Sequence, residues 1–156
     1  MSDPSTTTDE HPDAVASTTE KVHEFLSSFD DVDQDADGTT SLQYGSARVF
    51  ITVDTFDEDQ AVVKVCANVV NGAKPTPELF HHLATHQSEV GHLSAVEAPD
   101  GTATINFSHN LLGEFLNPAE LRMTIVAVAF AADQLDDALA AQFGGTVHDP
   151  NANLTT

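Results

Sequence analysis

The stretch that most constrains this chain is Asn117 to Gly145, NPAELRMTIVAVAFAADQLDDALAAQFGG, which the residue pattern assigns to one long helix. Asn117 is placed to cap it and Pro118 suits its first position. Glu120, three residues after the cap, can reach back in a capping box, satisfying amide donors that the first turn leaves orphaned. Gly144 and Gly145 mark the stop, and no proline interrupts the run between, which would measure roughly 39 Å as a helix. Leu121, Ile125, Val128, Ala132, Leu135 and Leu139 recur at steps of four and three and form an apolar seam that needs a surface to lie on. Ile125 to Ala132 is apolar throughout, so Met123, Val126 and Phe130 make a second stripe off the seam. A helix apolar on both sides is covered twice. The second cover is either another part of the chain or a partner, and Met123, Val126 and Phe130 are the candidate partner-binding residues. The segment TIVAVAF alternates like a strand, but its alanines, the length of the run and both caps favour helix.

Ahead of this helix, residues 1–16 are rich in Ser, Thr, Asp and Pro and too poor in large apolar groups to offset the entropy of ordering, so a disordered acidic tail is expected. Ser17 and Glu20 form a capping box before Val22, Phe25, Leu26 and Phe29, which predicts an amphipathic helix near 18–29. An acidic loop, DDVDQDADGTT, precedes a short strand at Leu42 to Tyr44. Val49, Ile51 and Val53 then alternate with polar neighbours, DEDQ reads as a turn, and Val63, Val65, Ala67 and Val69 alternate in AVVKVCANVV, so the two runs predict an antiparallel hairpin. Thr76 and Pro77 open a second helix, with Leu79, Phe80 and Leu83 on its buried side, running toward Gly91. His92 to Glu97 and Ala103 to Leu111 predict two more strands around a Pro-Asp-Gly turn. The expected fold is α+β: an antiparallel sheet of four to five strands with helices packed on it, in the order α-β-β(-β)-α-β-β-α. It forms a single domain over 17–145, with 146–156 as a flexible tail.

Charge excludes some partners. With 25 acidic and 5 basic residues, a formal charge of −20, the chain lacks the Lys/Arg face that a phosphate backbone or an anionic membrane requires. Such charge attracts basic segments of other proteins but fits a high-salt setting or an ordinary acidic surface equally, so the expected protein or peptide partner, and the expected homodimer, rest on the second apolar stripe and on the resemblance given below. The one cysteine, Cys66, can form no intrachain disulfide and reads as a small core residue. No basic leader, and no run of the roughly 18 apolar residues a membrane span needs, is present; a soluble, cytoplasmic protein is expected.

From about residue 17 to 145 the chain resembles the YbjN family and the related class I type III secretion chaperones. The residues that carry the likeness are RVFITV, AVVKVCANVV, the P-E-L-F opening of the middle helix, FSHNLLGEFLNPAEL and AADQLDDALAAQFGG. The resemblance implies a compact, often dimeric α+β domain that binds peptide segments of other proteins, or a regulator, and the acidity is similar to that of secretion chaperones. The acidic loop and the histidine-rich middle helix match nothing in the family pattern.

Those two departures are the candidate metal sites. Asp33, Asp35, Asp37 and Gly38 reproduce the D-x-D-x-D-G opening of a calcium loop, but Thr40 and Tyr44 stand where an aliphatic residue and a bidentate Glu belong. His82 and His86, one helical turn apart with His81 beside them, could share zinc, although a stable site needs three or four ligands. Neither set is complete, so no metal and no cofactor is assigned; a calcium- or zinc-responsive regulator stands as the alternative function. His109 alternates with the apolar side of its strand and reads as a core or rim histidine. No nucleophile with base and orienting group, and no phosphate loop, can be read from the spacing, so the expected role is non-enzymatic, an enzyme of unknown class being the least favoured reading.

Overall fold

A computed structural model describes residues 13–148. The chain runs α1 (Ala14–Leu26), β1 (Val32–Gln34), β2 (Thr40–Tyr44), β3 (Ala47–Asp57), β4 (Gln60–Ala73), α2 (Pro77–Thr85), β5 (His92–Glu97), β6 (Ala103–Leu112), a 3₁₀ turn (Gly113–Phe115), α3 (Pro118–Phe143) and β7 (Thr146–Val147). All pairings are antiparallel, in the order β1-β2-β3-β4-β6-β5, with β7 added on β4 beyond the first residue of β3. The α+β arrangement is as expected; the sheet has seven strands instead of four or five.

Alternation decides which face is covered. Leu42, Val49, Ala67 and Phe107 lie in register across four strands, as do Ile51 and Val65, and all are buried. Their row forms one core with Val22 and Leu26 of α1, Leu79 of α2 and the α3 seam. The opposite row, Phe50, Cys66 and Ser108, stays half-buried. Cys66 is thus on the sheet's open face and not in the core, and burial still pushes its thiol pKa up, away from the reactive thiolate.

Several boundaries differ from the sequence pattern. The cap of α1 is Asp13, whose carboxylate accepts from the Val15 amide at 3.1 Å, and Ser17 lies inside the helix. The Ala-Val-Ala stretch before Ser17 favours helix, so α1 takes in residues 14–16; residues 1–12 and 149–156 lie outside the described residues. β7 puts Thr146 and Val147 into the sheet, opposite Asn71 and Val70, instead of in a tail. α2 ends at Thr85, so residues 87–90 leave the helix before Gly91. Phe80 is turned outward, 43% exposed, while Leu79 is fully buried. Among the described residues no helix is long and apolar enough to cross a membrane.

Candidate functional site

The site grows out of α3. Asn117 accepts from the Glu120 amide at 2.9 Å, Pro118 sits at the first position, and Gly144 ends the helix at φ +79°. At 100° per residue the seam residues and the stripe of Met123, Val126 and Phe130 point in nearly opposite directions. Leu121, Ile125, Val128, Ala132 and Leu139 are buried on β3, β4 and β6, with Leu135 partly so. Of the stripe, Met123 is 73% and Phe130 60% exposed, and Val126 is half-buried. The described residues supply one cover, not two.

Two hollows flank Phe130. The larger, about 430 Å³, lies between Ala127, Ala131 and Leu135 of α3 and the loop 86–90, with Phe107 of β6 also lining it. That segment can cross the Phe107 ring because it ends in Gly91, at φ +80°: a Cβ there would stand 2.6 Å from the ring and 2.7 Å from the Ser108 carbonyl oxygen. The smaller hollow, about 240 Å³, lies between Val126, Ala129 and Asp133 and the β2–β3 turn of Tyr44, Gly45 and Ser46, where the Ser46 hydroxyl donates to the Asp133 carboxylate. Phe130 is a ridge shared by both.

The rim is acidic. Asp133, Asp136 and Asp137 follow Phe130 within two turns, and Glu89 stands on the facing wall. Desolvation first, then the charges of Asp137 and Asp133, holds the Asp136 carboxyl above the ordinary carboxylate range. Three of the five basic residues are engaged elsewhere: Arg48 pairs with Asp33 at 3.2 Å, Lys64 with Asp54 at 3.5 Å, and Arg122 lies over the Phe29 ring at 5.5 Å. An exposed aromatic ridge between apolar hollows, edged with carboxylates, can seat apolar side chains of another segment.

The other candidate residues are not brought together. Asp33 lies in β1, opposite Ser41, and is tied to Arg48; Asp35 and Asp37 shape the β1–β2 turn, where the Asp37 carboxylate accepts from the Thr39 amide at 2.9 Å. That hydrogen bond lowers the Asp37 pKa. The acidic segment is therefore the turn of a β1–β2 hairpin. His82 stacks on His86 at 6.0 Å and leans on Phe143 of α3 at 5.7 Å, which makes it a packing residue between helices instead of part of an exposed polar face. Among the described residues no three His, Cys, Asp or Glu side chains gather as a metal would require. A hollow of about 680 Å³ between the end of α1 and β1 is ringed by Asp30, Asp31 and Asp33, with His23 bonded to Gln34 across it at 3.2 Å. It lacks the exposed apolar ridge of α3.

The sequence pattern points to the ridge but misses its walls. Tyr44 to Ser46 and Gln87 to Val90 come from turns distant in the chain, and only Gly91 signals that a wall passes close to the sheet.

A family model described as T3SS (YopN, CesT) and YbjN peptide-binding chaperone 1 matches residues 12–151. No curated protein sequence matches the chain. Among solved structures, the fold is similar to that of a chain in the ExsC–ExsE complex, with a TM-score of 0.59 at 16% identity over 81% of this chain and 96% of that one. A second similar structure is the Yersinia pestis type III secretion chaperone SycH in complex with a stable fragment of YscM2, with a TM-score of 0.49 at 12% identity over 76% and 98%.

Proposed function

Because the chain belongs to the family of type III secretion and YbjN peptide-binding chaperones, we propose that it holds a peptide segment of a partner protein on the outer side of α3. Met123, Val126 and Phe130 are the anchors, and the sheet contributes Phe107 and Tyr44 at the two hollows. The observation that carries this reading is the exposure of Met123 and Phe130 on a helix whose other side is buried, since large apolar side chains exposed together mark binding surfaces. The experiment is affinity capture from native lysate with the intact chain and with a Met123→Asp, Phe130→Asp variant of matched helix content, followed by mass spectrometry. A partner retained by the first and lost by the second is expected; an unchanged set of captured proteins removes α3 as the site.

Self-association belongs to the same reading and uses other residues. β5 is an edge strand, α2 packs beside it, and Val96 and Phe80 are exposed there at 60% and 43%. An unpaired edge with apolar neighbours supports a homodimer through that end of the sheet. Light scattering is expected to return the mass of two chains, falling to one in a Val96→Lys variant; one chain in both rejects the dimer.

A further inference from the structure

We propose that the segment seated against Phe130 is a cationic amphipathic helix of a partner protein, its apolar face on the ridge and hollows and its Lys or Arg side chains against Asp133 and Asp137. The proposal rests on the function proposed above and names the chemistry of the occupant. The argument is one of shape and charge together. From Met123 to Asp137 the outer side of α3 runs straight for about 21 Å, some four turns, with small residues, Ala127 and Ala131, beside the aromatic ridge, so a second helix can lie close along it. Asp133 and Asp137 fall near the azimuth of Phe130, about 4.5 and 10.5 Å further along the axis at 1.5 Å per residue, within reach of a lysine one or two turns from an apolar anchor.

Among the described residues no cation pairs with these carboxylates. Asp133 receives the Ser46 hydroxyl, and the two salt bridges among the described residues lie on β1–β3 and β3–β4. The raised pKa of Asp136 reflects desolvation and the charges of Asp133 and Asp137. Like charges held together beside an apolar surface cost free energy that an incoming cation offsets, and they speed encounter with a basic ligand.

The test uses two fluorescein-labelled 18-residue peptides with the same helical apolar face of Leu and Phe, one carrying four lysines on its flanks and one carrying glutamine there. Anisotropy titration of the full chain at low ionic strength should give the lysine peptide an affinity about tenfold tighter, a gap that shrinks toward nothing at about 1 M salt as charge is screened. Replacing Asp133 and Asp137 by Asn should close the gap by weakening the lysine peptide; Asp137→Asn alone should close part of it. Replacing Asp57, Glu58 and Asp59 by Asn, Gln and Asn at the far tip of the β3–β4 hairpin should leave the gap in place, since the extended Ala47–Asp57 strand sets that tip roughly 33 Å from the groove wall. Phe130→Asp should abolish binding of both peptides. Equal affinities that still depend on Phe130 overturn the charge proposal and keep the peptide site. A gap that survives the α3 replacements, or closes as much with the hairpin replacements, assigns the preference to the overall charge and also overturns it. If neither peptide binds, or Phe130→Asp changes nothing, the peptide site itself falls and the proposal with it.

Discussion

The two sides of α3 are made of similar residues and end in different surroundings. Leu121, Ile125 and Val128 are removed from water by the sheet, whereas Met123 and Phe130, one or two positions away, stay mostly in it. Composition therefore does not separate a core face from a binding face; the covering elements do. Three helices lie on one side of the sheet, and the loop at 86–90 and the β2–β3 turn border the outer side of α3 without closing over it.

The largest test of that contrast is truncation. Leu121→Ala or Ile125→Ala should lower unfolding free energy by about 2–5 kcal/mol in a denaturant titration, because each leaves a cavity in a close-packed core. Met123→Ala and Phe130→Ala should shift it by no more than about 0.5 kcal/mol. Comparable losses on both sides would mean that the stripe is covered after all. Next is Gly91→Ala, which strains a left-handed backbone and drives a Cβ into the Phe107 ring. A loss of about 1–3 kcal/mol is expected, together with weaker binding at the larger hollow, and binding unchanged at full strength would detach the 86–90 wall from the site. Asn117→Ala removes a cap that serves both sides alike, and about 1 kcal/mol should disappear from stability with the peptide affinity intact. The smallest effect is a pH dependence. The Asp136 carboxyl has a higher pKa folded than unfolded, so its contribution to stability is present below the ordinary value of 3.8 and is lost as pH rises past that value through the raised one. Asp136→Asn should accordingly be slightly stabilising at pH 7 and neutral at pH 3, read as melting temperatures; a loss at pH 7 would contradict the sign.

What the sequence made legible was local. Caps at Asn117 and Thr76, the seam of α3 and the β3–β4 hairpin follow from hydrogen-bonding groups and periodicities within a few residues of each other. β1 was not legible, because Val32-Asp33-Gln34 has a loop's composition and becomes a strand only by pairing with β2. β7 likewise depends on β4, and Gly145 allows it, packed so near that a Cβ would stand 2.4 Å from the Asn71 carbonyl oxygen. The end of α2 at Thr85 also escaped, since the Gly at 91 is a more visible stop than the turn that precedes it. For the candidate site, periodicity located Met123, Val126 and Phe130 on one stripe. It carried no information on whether Tyr44 or Val90 would arrive to cover them, which is a property of chain topology.

The pairing of β7 with β4 has a consequence in time. Val147 meets Val70 across about half the length of the chain, and the Lys74 amide donates to the Phe143 carbonyl at 2.9 Å beside it. Contacts so distant in sequence close a long loop and form after the local hairpins and helices. The short strand thus acts as a late latch that holds the end of α3 on the sheet, and loosening it should quicken unfolding while leaving the folding rate nearly unchanged.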